Sequence, residues 1–271
     1  MYPIDGEERE RLNKLHNAHA IFFNDRLFHA PINPDGDFYA VDIGTGTGIW
    51  AMEFADEYPN ATVEGWDIAL MQPTLVPPNL IFILDNAEKD WVSGGRYDYV
   101  HVRDLAGSIK DWPRLIRQIY ENLKPGGWAE FHEVENGLFS ADGTPIIDGN
   151  ALAEMQKLRG QAHAQIGRTL DPAPDIPGWA SDAGFHHITE KQFQLPVGMC
   201  SEEKLGEWFA SNFYDGVHAF TAKPLGEVLG WTEEKRELFN VEVRKAVKSA
   251  VRGGFRFYQR LSVVTAQKPD I

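Results

Sequence analysis

The chain has 271 residues, 43% hydrophobic and 24% charged, enough for one large domain or two small ones with a full core. Asp and Glu number 40 against 26 Lys and Arg, a net charge of −14 that opposes non-specific nucleic-acid binding and leaves no broad basic surface for acidic membranes. The one cysteine, Cys200, excludes an intramolecular disulfide and a cysteine-based zinc cluster and fits a reducing compartment. No apolar run approaches membrane-spanning length, and the acidic start has no signal-peptide core, so a cytoplasmic location is expected, with the nucleus open.

Asp5 with Glu8 three residues on forms a capping-box pattern. After it, Leu12, Leu15, His19 and Phe22/Phe23 fall on one helix face, which suits packing on a core or closing over a ligand. His16 and His19 share a face, but no third ligand is evident, so no metal is expected. Ala30–Gly36 reads as a loop. The stretch from Tyr39 to Trp50 then starts as a short apolar run, turns at Gly44, Gly46 and Gly48, and continues with helical spacing through Ala55. Alternate glycines let a ligand approach the backbone, and the helix start offers free N–H groups to an anion such as a carboxylate. A dinucleotide fingerprint would carry its third glycine where Ile49 stands, and a phosphate-binding P-loop would need a following lysine.

The helix should stop near Tyr58-Pro59. Ala61–Asp67 reads as a strand whose last residue, Asp67, lies 19 positions after Gly48, placed to accept hydrogen bonds from ribose hydroxyls. Ala69–Asn79, with Pro73, Pro77 and Pro78, is a loop or a broken short helix. Leu80–Leu84 is an apolar buried strand ending at Asp85-Asn86-Ala87, which suits either adenine recognition or an Asx turn. Tyr97–Arg103 is the next strand. Asp111 caps a helix starting at Trp112-Pro113, and Lys124–Gly127 stops it before a strand over Trp128–Val134. The alternation implies a parallel sheet with helices on both faces, and the glycine turn, Asp67, Asp85–Asn86 and Arg103 all fall at C-terminal strand ends, where such sheets bind ligands.

Further on, Asn150–Gly167 reads as a helix and the proline-rich Asp171–Trp179 as a surface loop. His186–Phe193 alternates like a strand, which would point His186 and His187 to opposite faces and keep them from sharing a metal. Ser201–Val251 is largely helical with a break at Pro224, and Arg244–Lys248 reads as a solvated face. Phe255–Ala266 closes the chain as a strand, which with the one near His187 would make a terminal antiparallel pair.

The run Asp42-x-Gly44-x-Gly46-x-Gly48 resembles the first motif of class I S-adenosylmethionine (SAM) methyltransferases. With Val41–Trp50, Gln72-Pro73, Val76–Asn79, Tyr97–Arg103, Leu105–Trp112 and Leu123–Trp128, the chain resembles the fungal LaeA-like group of that class, tied to secondary metabolism. The resemblance covers the first half well and the final strand weakly. It implies an α/β, Rossmann-like fold: a seven-stranded, mostly parallel sheet with helices on both faces and a helical acceptor-site insertion. It implies one domain over 1–271, with an N-terminal helix or lid (1–36), a SAM-binding core (37–135) and acceptor-side insertions with terminal strands (136–271).

The implied cofactor is SAM, leaving as S-adenosylhomocysteine (SAH). It would be held by Asp42, Gly44, Thr45, Gly46, Gly48, Asp67, Ile68, Asp85, Asn86, Ala87 and Arg103. The implied partner is a small-molecule acceptor methylated on oxygen, nitrogen or sulfur, in a pocket formed by the N-terminal helix, the segment after His132-Glu133 and Ser201–Phe220. His132 is the candidate base. A SAM-binding regulator acting through a protein partner is the alternative, without direct nucleic-acid or membrane contact, as a monomer or homodimer. Family members usually carry more residues ahead of Tyr2-Pro3, so a trimmed chain or a more open site is expected.

Overall fold

A computed structural model describes residues 4–92, 94–146, 149–198, 203–253 and 257–270. Cys200, the start of the Ser201–Phe220 segment and Phe255–Arg256 lie outside the described residues. Helix α1 (Gly6–Phe22) is followed by β1 (Phe38–Ile43), α2 (Ile49–Glu57), β2 (Ala61–Asp67), β3 (Leu80–Leu84), β4 (Tyr97–Arg103), α3 (Trp112–Asn122) and β5 (Leu123–Val134). Then come α4 (Ala151–Gln165), α5 (Ile176–Ala183), β6 (His186–Val197), α6 (Glu203–Thr221), a π-helical turn (Ala222–Val228), α7 (Glu233–Val251) and β7 (Phe257–Gln267).

The seven strands form one sheet in the order β3-β2-β1-β4-β5-β7-β6. The first five are parallel, and β7 runs antiparallel between β5 and β6. Strand order reverses at β1 and β4, so the crevice beyond their C-terminal ends is the natural ligand site. The registers Ile43↔Trp66, Asp67↔Leu84, Ile43↔Val102 and Arg103↔His132 bring the sequence-predicted polar residues to that rim.

Period-two alternation divides each central strand between two cores. Val41, Ile43, Val100, Val102, Ala129 and Phe131 pack with α3 and α5 on one face. On the other, Ala40, Val63 and Tyr99 meet Trp50 and Phe54 of α2. A third core joins β6 and β7 to α4, α6, α7 and the outer half of α1.

Several expectations are corrected. The Asp5 carboxylate caps the Glu8 amide at 2.9 Å, but the Glu8 carboxylate turns to Arg11 instead of back to the cap. Of the two readings of Ala69–Asn79 the loop holds, and the short helix is absent. Strand β5 starts at Leu123 and carries Pro125-Gly126-Gly127 inside it, where the register with β4 slips. The end of the supposed loop over Asp171–Trp179 is helical, because Pro177 sits in the first turn of α5, where its missing N–H costs nothing, and Ile176 and Ala180 bury one turn apart. His186 and His187 do not face apart. His187 adopts a left-handed conformation (φ 48°) at a slip in the β6–β7 register, and the two rings stack 4.3 Å apart.

Candidate active site

Gly44, Gly46 and Gly48 all have positive φ, at 73°, 57° and 80°. The reasons for glycine differ along the turn. A Cβ at Gly44 would collide with Leu105, and one at Gly48 with Phe82, so these two are glycine because protein side chains lie on them. At Gly46 a Cβ would meet only Leu12 of α1, at 3.7 Å. Gly46 is therefore the position left open toward a ligand, and α1 is its roof.

The amides of Gly44 and Thr45 donate to the Trp66 carbonyl at 2.8 and 2.9 Å, that of Gly46 to Asp67 Oδ2 at 2.9 Å, and that of Gly48 to the Thr45 carbonyl at 2.9 Å. These four groups are engaged inside the protein. The anion-binding role expected of free amides falls to the first turn of α2, whose cap residue Gly48 supplies no capping side chain.

The other expected cofactor residues take different places. Asp67 is half-buried and ends β2, with Oδ1 accepting from the Ala69 amide at 2.9 Å; burial raises its pKa. Ile68 beside it is 55% exposed and can cover a flat ring. Asp85 and Asn86 follow β3. The Asn86 side-chain oxygen accepts from the Glu88 amide at 2.9 Å, so that oxygen makes the Asx turn, while Asp85 stays exposed. The Ala87 carbonyl is taken by Trp91 and Gln118. Thr45 is buried within the turn.

Asp42 is turned inward rather than toward the rim. Burial opposes its charge, but the His101 ring N–H, 2.7 Å away, holds its pKa below the usual value. Burial in turn lowers His101 to about 4, so a neutral imidazole makes this bond. Arg103, at the end of β4, donates to His16 Nδ1 at 2.9 Å, and His16 Nε2–H donates to Glu53 of α2 at 2.7 Å. This chain fastens α1 across the rim. Arg11, bonded to Asn212, and Lys14, 3.3 Å from Asp215, fasten the same helix to α6.

Under α1, beyond the ends of β4 and β5, lies a cavity of about 160 Å3. Its apolar wall is made of Leu15 of α1, Leu170, Leu195, and Phe209, Phe213 and Phe220 of α6, and Arg11, Gln156 and Arg159 also border it. Its polar residues include His19, Asp104, Glu133 and Glu135. Glu135 pairs with Arg260 at 3.1 Å. Glu133 is fully buried, accepts from the amides of Leu105 and Ala106 at 2.9 Å each, and is pushed up to about 8 by burial and by Asp104. Asp104 adopts a left-handed conformation, φ 57°, that carries its chain off the end of β4.

His132 is not among the residues that line this cavity. It is 3% exposed, and its Nε2–H donates to Glu130 at 2.5 Å. Glu130 also accepts from the amides of His29 and Ala30, which ties the loop after α1 to β5. His29, Glu130 and His132 each bring a ligand atom within 4.8 Å of the others, a spacing that a metal ion could span. Glu130 already has three donors here, so the arrangement is complete as a hydrogen-bonded clasp. Sequence spacing could not place His29 beside Glu130, about 100 positions away. Asp104 and His19 were readable only as a strand-end residue and a helix-face residue.

A crevice at a strand-order reversal, a glycine turn and a carboxylate ending the second strand, with an apolar chamber beside them, define a class I methyltransferase. Comparison with known proteins agrees. Residues 15–190 match the family described as a methyltransferase domain. The chain is 44% identical to methyltransferase pytC of Aspergillus terreus, over 99% of this chain and 83% of the relative. It is 30% identical to the protein-methionine methyltransferase laeA of Emericella nidulans, over 98% of this chain and 72% of the relative. Among solved structures, phosphoethanolamine N-methyltransferase 2 of Haemonchus contortus shares the fold, with a TM-score of 0.53 at 17% identity, over 94% of this chain and 52% of that one. The chain belongs to the LaeA-like SAM-dependent methyltransferases.

Proposed function

We propose that the chain transfers a methyl group from SAM to a small organic acceptor of fungal secondary metabolism, bound in the chamber under α1. The observation that carries this reading is the position of that chamber, roofed by the same helix whose Leu12 stands over Gly46. SAM supplies an electrophilic methyl on a leaving group that is already activated, so the protein's work is mainly alignment. Asp67 is placed to grip the ribose, Ile68 and Asn86 to flank the adenine, and the α2 start with Arg103 to receive the methionine carboxylate. The Asn86 amide group remains available after its oxygen closes the Asx turn. Asp42 acts from behind the turn, through His101.

Asp67→Ala removes charge-assisted hydrogen bonds worth roughly 1.5–3 kcal/mol, so SAH affinity by calorimetry falls about 10–100-fold. Unchanged affinity would reject the ribose assignment. A second reading, modification of protein rather than metabolite, is favoured by the name of the Emericella relative. Incubation of a fungal extract with methyl-labelled SAM separates the two. Label in the small-molecule fraction supports the first reading, and label confined to protein methionine supports the second.

A further inference from the structure

Resting on that methyl-transfer reading, we propose that the chamber under α1 takes a phenolic ring, with its hydroxyl donated to Asp104 and a second polar substituent met by His19. Three observations lead there. The first is size: a cavity of about 150 Å3 holds one benzene-sized ring, and this one is about 160 Å3 with three phenylalanines on one side and polar groups on the other. The second is His19. It is 3% exposed, lines the chamber, and neither ring nitrogen has a hydrogen-bond partner. Its ring lies edge-on to Phe209 at 5.4 Å and stacks on Phe23 at 6.3 Å, which fixes it in the wall. Buried polar groups are seldom left unpaired, so a group with both nitrogens free at a cavity wall marks where a ligand atom belongs.

The third is Asp104. Its backbone turns left-handed at the strand end, a conformation that aspartate accepts more readily than most residues and that brings residue 104 to the cavity wall. The cavity's other acidic groups are occupied: Glu133 by two amides and Glu135 by Arg260. No hydrogen bond holds the Asp104 carboxylate among the described residues. Burial raises its pKa, which makes it a better proton acceptor than an ordinary aspartate. The transfer balances. The phenolic oxygen forms a bond to the methyl carbon, the carbon–sulfur bond breaks with its electron pair left on sulfur, and the hydroxyl proton passes to Asp104.

The test is a ligand-detected NMR titration of the SAH-saturated protein with phenol, catechol and toluene. Phenol is expected to bind at least about 10-fold more tightly than toluene, and catechol more tightly again, because a site built to bond a hydroxyl rejects the ring that lacks it. Asp104→Gly keeps the left-handed backbone and removes the carboxylate; it should bring the phenol-to-toluene ratio below about 3, with SAH still bound. His19→Phe keeps the ring packing and should erase the further gain of catechol over phenol. Toluene binding as tightly as phenol, or a phenol preference that survives Asp104→Gly, overturns the proposal. Failure of the unmodified protein to bind SAH would strike the methyl-transfer reading instead, and the same titration on the free protein would still decide this one.

Discussion

The glycine-turn rim and the chamber both lie under α1, yet they treat some of their polar groups in opposite ways. At the rim, amides of the glycine turn, Asp42, Asp67 and Arg103 are all bonded to protein partners before any ligand arrives. In the chamber, neither nitrogen of the His19 ring has a partner, and no hydrogen bond holds the Asp104 carboxylate among the described residues. The difference separates two tasks. A rim that must recognise one invariant molecule is rigid in advance, which lowers the entropy lost on binding. The chamber bonds Glu133 and Glu135 internally but leaves the His19 ring for a guest.

The largest effect that could break this contrast is at the glycine turn. Gly48→Ala combines a left-handed backbone with a collision against Phe82, a destabilisation of about 3 kcal/mol, or about 6–12 °C in Tm. Gly46→Ala carries only the backbone cost of about 1–2 kcal/mol, and its main effect should be on SAH affinity. Equal losses of Tm at the two positions would show that Gly46 is also held by packing.

Next is the pH dependence of the chamber side. Glu133 keeps its proton in the folded chain up to about 8 but loses it near 4.5 when unfolded. Between those values the unfolded chain binds fewer protons, so stability falls as pH rises, by a few kcal/mol at most. Glu133→Gln should flatten that decline, with Tm at pH 8 moving toward its value at pH 5. A decline as steep as in the parent would place the titrating group elsewhere. Glu130 has the opposite sign. Burial opposes its charge, yet the His132 bond holds it down to about 2, so its contribution is present above about 4.5 and is lost as pH falls toward 2.

The smallest effect is expected at His132. Glutamine at this position can still donate to Glu130, so His132→Gln should leave kcat/KM within about fivefold, under about 1 kcal/mol. A loss of a hundredfold or more would return the histidine to the role of base and blur the line between clasp and chamber.

The parallel half was legible because its signals are local. Apolar runs such as Leu80–Leu84, the glycine turn, and Pro113 behind the Asp111 cap each fix an element within a few residues. What was lost is non-local or rests on one backbone angle. The His186–His187 stack depends on a register slip against β7, and the Glu130 clasp joins residues about 100 positions apart. The proline-rich stretch misled because Pro177 reads as a breaker, although in a first turn it is tolerated. Asp104 carries no pattern of its own, since nothing in the sequence announces a left-handed angle at the end of a strand.

The Arg103–His16–Glu53 chain makes the fastening of α1 sensitive to protons. His16 joins its neighbours only as the neutral ring, with Nδ1 accepting from the guanidinium and Nε2–H donating to Glu53. Protonation would aim a second donor at Arg103 and break that bond while strengthening the one to Glu53, and burial already disfavours that form. Acidification should therefore loosen the tie between α1 and the end of β4 while the tie from α1 to α2 through Glu53 persists.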